Sequence, residues 1–407
     1  MGFASGSVTF KRFFVGGQAP KQADESLLEA LREHAIGHDS MVEPDRTEVG
    51  WVTGDHILDT EFDFSKNAVA DCLYFALRID TNKAPGELLR SFQRQNEEAS
   101  LEASGRESLT KEDRLEARDQ ARSRADREAA AGMHRRMKQY PVLWDLERNE
   151  LYLGATSPTV VDRFVLLFDT TFDRSLTAAS AGALASRWAS RVGWSGSLSE
   201  LRPTEFIDSP DGEGIDFEEV SDDPRRNDFL GTEWLLWLWF TTHTESAQVV
   251  GTNGDSVTVL FAKSLDLKCA FGLTGSDSIK ADDPTRLPES RAAIGSGKVP
   301  LRAGLHVVQH DEPYVFAIRG DGMHVSGLTL PAIEEAEGRA VFEERTAQIR
   351  HFAEALEALF SAFLKERLSG HWPARLGAMR AWIAGSRGPD LRLVMPAVEK
   401  ASDTVMV

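Results

Sequence analysis

The sequence predicts an α+β protein in which antiparallel sheets pack against helices. Three observations carry that assignment. Apolar runs with strand-like patterning occur near the N-terminus and again between about Ser256 and Pro331, several of the latter joined by Gly/Asp turns. Between Pro85 and Lys138 the composition shifts to good helix formers with few large apolar residues. Over Glu334–Arg367, Phe342, Ile349, Phe352, Leu356, Leu359, Phe360 and Phe363 form one helical stripe.

Taken in order, "SVTFKRFFV" (Ser7–Val15) alternates as a strand does. "DESLLEALREHA" puts Leu27, Leu28, Leu31 and Ala35 on one helical face behind Asp24 as N-cap. "EVGWVTG" and the strongly apolar "CLYFALRID" complete a strand–helix–strand unit. From Pro85 the chain reads as two long, solvent-exposed helices that project as an arm. They are broken at "ASGRESLTKED", with Thr110 and Asp113 in capping-box order. "PVLWDLERNELYLGAT" gives two strands about a polar turn, and Val160, Val161, Phe164, Leu167, Phe168 and Phe172 recur at helical spacing in the next segment. Ile207–Asp228 contains nine acidic residues and reads as a linker or surface loop. The expected organisation is a central domain (1–80 and 139–206) interrupted by the arm (81–138), an acidic linker (207–228), a base domain (229–385) and a tail (386–407).

"FLGTEWLLWLWF" (Phe229–Phe240) is the most conspicuous run. As a helix it reaches about 18 Å, short of the roughly 30 Å of a hydrocarbon layer. Apolar groups cover almost its whole circumference, broken only by Thr232 and Glu233. That pattern marks a helix surrounded by protein. A base-stacking platform would need exposed rings beside cations, and the nearest pair, Arg225 and Arg226, sits among acids.

The 407 residues, 42% hydrophobic and 27% charged, fit a soluble protein of two or three domains. No apolar run is long enough to span a bilayer, and the start lacks the order of a secretory signal, so a cytoplasmic protein is expected. Cys72 and Cys269 form no metal or redox pair by spacing and are expected to be buried thiols. A net charge of −18 argues against coating nucleic acid over the whole surface. Charge is segregated, however: Arg106–Lys138 holds ten Lys/Arg against seven Asp/Glu, a net of +3, and the rest of the chain carries −21.

The sequence carries little recognisable catalytic chemistry. "GSGKVP" lacks the Ser/Thr and spacing of a phosphate-binding loop and reads as the start of a strand. His306 and His310 would stand about 13 Å apart on a strand, too far to share one ion. No nucleophile elbow or HExxH pattern occurs, so no enzyme, metal or cofactor is expected. Along the arm, Arg114, Arg118, Arg122 and Arg124 interleave with acids, as on a salt-bridged solvated helix. Its end differs. "AAAGMHRRMKQY" supplies His134, Arg135, Arg136 and Lys138 with no acid from Ala129 through Leu143, so these groups are expected to be free for phosphate.

Several segments, taken in order, resemble the recombination-associated protein RdgC family. They are "GWV" (Gly50–Val52), the apolar strand ending near Asp80, the charged arm, "VLWDLERNELYLGAT", the helix from Pro158, "GKVPLRAGLHVV", "PYVFAIRGDGMHVSGLTL" and the C-terminal amphipathic helix. The likeness runs from about Gly50 to Leu364 with gaps. It implies a non-enzymatic bacterial protein, nucleoid-associated, whose ring-shaped homodimer encircles double-stranded DNA and limits recombinase filaments by competing for it, with single-stranded DNA an open alternative. It further implies DNA contacts at the arm, carried here by "GMHRRMK". Met133 and His134 stand around where the family has an aromatic residue. The implied contact set is Arg122, Arg124, Arg127, His134, Arg135, Arg136, Lys138 and Lys298. The competing expectation is an acidic protein-interaction module that dimerises through its helical arm without binding DNA.

Overall fold

The computed structural model describes residues 2–37, 47–209, 212, 214–215, 223–272, 275–333 and 337–385. The tail expected at 386–407 and most of the acidic linker lie outside them. Two compact units emerge: Met1–Ala178 with Glu337–Glu343, and Ala179–Ala336 with Glu344–Val407.

In the first unit, β1 (Val8–Val15), β2 (Thr47–Val52), β3 (Ala68–Val69), β4 (Cys72–Asn82), β5 (Arg135–Asp145), β6 (Glu150–Leu153) and β7 (Leu176–Ala178) pair antiparallel. The order β7-β1-β6-β5-β4-β2 places β4 and β5 side by side at the centre. The helices are α1 (Glu25–Glu33), the short α2 (Phe64–Asn67), α3 (Gly86–Ser104), α4 (Lys111–Ala130) and α5 (Pro158–Phe172). The Asp24 side chain caps α1 as expected, accepting from the Leu27 amide at 3.1 Å.

Alternation then selects the core. Leu73, Phe75, Leu77 and Ile79 of β4, with Val142 and Trp144 of β5, share one sheet face. On that face they are buried with Leu28 and Leu31 of α1 and Val160, Val161, Phe164 and Phe168 of α5. Trp51 of β2 joins them edge-on to Phe75, ring centroids 5.1 Å apart, its indole N–H donating to Thr171 Oγ1 at 2.8 Å. The glycine before it is required by a close approach. The Ile36 amide donates to the Trp51 carbonyl, and a Cβ on Gly50 would fall 2.6 Å from the Ile36 nitrogen.

In the second unit, α6 (Ala181–Val192) and α7 (Ser195–Ser199) precede α8 (Phe229–Thr244). There follow β8 (Gln248–Val250), β9 (Ser256–Cys269), β10 (Ser276–Ala281), α9 (Pro288–Gly295), β11 (Lys298–Gln309), β12 (Glu312–Arg319) and β13 (His324–Thr329). The strands run β10-β9-β11-β12-β13, with β8 on β9, all antiparallel. The helices α10 (Arg339–Arg367) and α11 (Trp372–Ile383) end the described chain.

The tryptophan run is α8, and every residue from Leu230 to Thr241 is buried. Its rings meet Phe261 of β9 (from Trp239), Phe360 of α10 (from Trp234) and Trp382 of α11 (from Trp239). The buried Glu233 keeps its charge satisfied. It accepts from the Thr204 amide at 2.6 Å and from Arg367 Nε at 2.7 Å.

Several expectations are revised. Residues 179–206, assigned to the first domain, pack in the second unit, where Ala181 N–H bonds the Asp321 carbonyl and Gly182 N–H bonds Asp228. The runs "DSVTVLFA" and "LDLKCAF" are one strand, β9, bulged around Lys263, whose φ is +67°. The Gly/Asp/Ser-rich segment after Gly275 contains β10 and α9. Cys72 is buried, but Cys269 at the end of β9 is only half-buried.

Candidate nucleic-acid interface

The charged segment forms an antiparallel pair of helices, α3 and α4, inserted between β4 and β5. Thr110 and Asp113 make the expected capping box, and hydrogen bonds from Thr110 lower the Asp113 carboxyl pKa. On α4 burial falls on Ala117, Ala121, Ala125 and Ala129 alone, one residue per turn, which lets the backbone approach α3 closely. Asn96 donates to the Ala117 carbonyl at 3.1 Å, and the Arg124 guanidinium lies 3.9 Å from the Phe92 ring centre. The remaining side of α4 carries Arg114, Arg118 and Arg122, all exposed.

The helix ends at Ala130, which corrects the expectation of a helical arm running to Lys138. Gly132 adopts a φ of +79°, which breaks the helical register, and the chain re-enters the sheet at Arg135. "RRMK" is therefore the first part of β5, paired residue for residue with β4: Arg135 with Asn82, Arg136 with Thr81, Met137 with Asp80, Lys138 with Ile79. The connection distal to the sheet is 105–110, and the basic cluster lies at the sheet-proximal end. The Asn82 side chain ties the junction by donating to the Ala129 carbonyl at 2.7 Å, which also accepts from the Gly132 amide at the end of the helix.

Strand alternation separates the two adjacent arginines. Arg135 turns to the face that carries Arg78 and Asp80. There Arg78, 1% exposed, pairs with the fully buried Asp80 through Nε (2.8 Å) and Nη2 (2.5 Å), and Arg135 Nη2 reaches the same carboxylate at 2.9 Å. Arg78 also donates to the Ile57 carbonyl at 3.1 Å. The expectation that Arg135 is unpaired is thus wrong, because its partner is Asp80 on the neighbouring strand, far away in sequence. Arg136 and Lys138 point to the opposite face, are exposed, and make no ion pair to another described residue.

The other candidates divide as well. Since each residue turns a helix by about 100°, Arg124 and Arg127 lie roughly opposite Arg122. Arg124 is held by Glu128 (3.2 Å) beside Phe92, and Arg127 Nε donates to the Ser123 carbonyl at 3.3 Å. His134 Nε2 stands 3.2 Å from the other Glu128 oxygen. Lys298 begins β11 in the second unit, as the strand reading of "GSGKVP" expects, and its ammonium is held 2.6 Å from Asp277. The set therefore divides by partner. Among the described residues Arg122, Arg136 and Lys138 have no acidic partner, and Arg124, His134, Arg135 and Lys298 are engaged by carboxylates.

No family model matches the chain, and no curated protein matches its sequence. Among the described residues no group of three or more His, Cys, Asp or Glu side chains is placed to hold a metal ion, and no helix is long and apolar enough to cross a membrane.

One residue escaped the sequence reading. Arg163, half-buried on α5, brings Nη2 to 3.4 Å from Thr47 Oγ1 at the start of β2. Thr47 pairs with Thr81, and Thr81 with Arg136. Nothing local to "VVDRFV" signals this; only the strand register places Arg163 on the same sheet face as Arg136.

Proposed function

We propose that this chain is a non-enzymatic, sequence-independent DNA-binding protein that acts as a ring-shaped homodimer around duplex DNA and limits recombinase filaments by occupying the DNA. The observation that carries the reading is the sorting of Arg135 from Arg136 and Lys138. Arg135 is consumed by the buried Asp80, and its two neighbours are exposed cations without an acidic partner among the described residues. In a chain of net charge −18, such a local excess favours a polyanion at one place and repels it elsewhere. The order of RdgC-like segments supports the same reading, as do the exposed Arg114, Arg118 and Arg122 on α4. Contacts from cations to phosphate position the duplex without reading bases. Occupied duplex in the nucleoid would exclude a growing filament.

The test is a salt titration of duplex binding by the full chain and by Arg136→Glu/Lys138→Glu, with oligomeric state followed in the same samples. The wild type is expected to show log affinity falling with log salt at a slope of about −4, for four or five neutralised phosphates. The double variant is expected to lose most binding and keep the dimer. A flat salt response of the wild type would reject the reading.

A further inference from the structure

We infer that the nucleic-acid backbone is seated on a row running from α5 across β2, β4 and β5, formed by Arg163, Thr47, Thr81 and Arg136, with Lys138 one step along β5. This assignment rests on the DNA-binding reading and gives it a location. The strand register sets the row: Thr47 opposes Thr81, Thr81 opposes Arg136, and Arg163 Nη2 lies 3.4 Å from Thr47 Oγ1. Two strand-to-strand steps separate Thr47 from Arg136, about 10 Å, and Lys138 stands about 7 Å further along its strand. Two guanidinium groups thus bracket two hydroxyls, and guanidinium and Ser/Thr hydroxyl groups are both phosphate-contacting chemistry.

The electrostatics of the row favour an anion. Alternation turns Glu48 and Asp80 to the opposite sheet face, and Asp80 is further neutralised there by Arg78 and Arg135. Asp162 is exposed beside Arg163 on α5, and Arg136 and Lys138 have no acidic partner among the described residues. Duplex DNA carries one negative charge per about 1.7 Å of axis, so a patch of this size meets several phosphates at once.

The assignment is tested with the full-length chain and a fluorescein-labelled duplex of mixed sequence. Wild type, Arg163→Glu, Thr81→Val and, as a control on the helical pair, Arg114→Glu/Arg118→Glu are titrated at several salt concentrations. Arg163→Glu is expected to weaken binding about tenfold or more and to shrink the salt slope by about 0.9, one phosphate contact. Thr81→Val, which keeps a β-branched side chain of the same shape, is expected to weaken binding several-fold with an unchanged melting temperature. If the wild type binds with a steep slope and Arg163→Glu and Thr81→Val match it while the Arg114/Arg118 variant fails, DNA lies on the helices and the row is not its seat. If the wild type shows no salt-dependent binding, both the functional reading and this location fall.

Discussion

Arg135 donates to the carboxylate of Asp80 at 2.9 Å, and that carboxylate has no exposure to solvent. Asp80 is held on its other side by Arg78, so one buried anion serves two cations where the helical pair leaves the sheet. Removing the anion strands Arg78 in a dry site. Asp80→Ala is expected to destabilise the first unit by about 3–5 kcal/mol, the usual loss when one member of a buried ion pair is deleted. Denaturant melts of wild type and variant provide the measurement, and an unchanged midpoint would contradict it.

A second expectation separates structure from binding. Arg135→Glu puts a second carboxylate against Asp80 and is expected to lower the melting temperature by several degrees. Arg136→Glu, one residue away on the opposite face, is expected to leave it within about a degree, in keeping with small effects at exposed positions. DNA affinity should respond to Arg136→Glu in fully folded protein. Thermal melts read beside binding isotherms decide whether the two neighbours differ in this way.

The start of α8 makes a third case. A Cβ on Gly231 would lie 1.9 Å from the Gly320 carbonyl oxygen, and one on Gly320 would lie 2.5 Å from the Gly231 oxygen. Both neighbours are backbone and cannot rotate away. Gly231→Ala is expected to cost at least about 2 kcal/mol through overpacking, despite the better helix propensity of alanine. Gly193→Ala, which meets no atom within 4 Å but has a φ of +78°, tests strain alone and should cost less.

Alkaline pH provides a fourth. Burial pushes the Tyr74 phenol up to about 12 and also raises those of Tyr152 and Tyr314, the last assisted by the adjacent Glu312. A raised folded pKa means that the native state holds the proton more tightly than the unfolded chain. The stabilisation is complete below pH of about 10 and is lost as pH climbs through and beyond that value. Three of the four tyrosines are thus expected to ionise late or only with unfolding, followed by phenolate absorbance against circular dichroism. Three phenols titrating near 10 in folded protein would be incompatible with this burial.

Much of the fold was legible because local patterns agreed with tertiary packing. The alternation in β1, the Asp24 cap, the Thr110 capping box and the all-round apolar surface of α8 each reflect a physical demand stated within a dozen residues. α6 was not, since "AGALASRWASRV" is built largely of small residues and offers few large apolar side chains to set a period. The candidate interface was half legible. The basic excess near residue 135 is visible in composition, but the separation of Arg135 from Arg136 depends on β5 being a strand opposite Asp80. Arg163 was invisible because its position relative to Arg136 is set by two strand registers and a helix placement.

The insertion point of the helical pair has a further consequence. Asn82 and Arg135 are direct partners, the last station of the β4–β5 ladder. The chain therefore leaves the sheet and returns to it through neighbouring positions about 5 Å apart. Residues 83–134 occupy the place where a tight turn would otherwise close an ordinary β-hairpin. Whole helical turns can be added to or deleted from both helices together without disturbing one strand pairing. The reach of the helices is an independent variable of this architecture, and natural or designed variants can tune it by length alone.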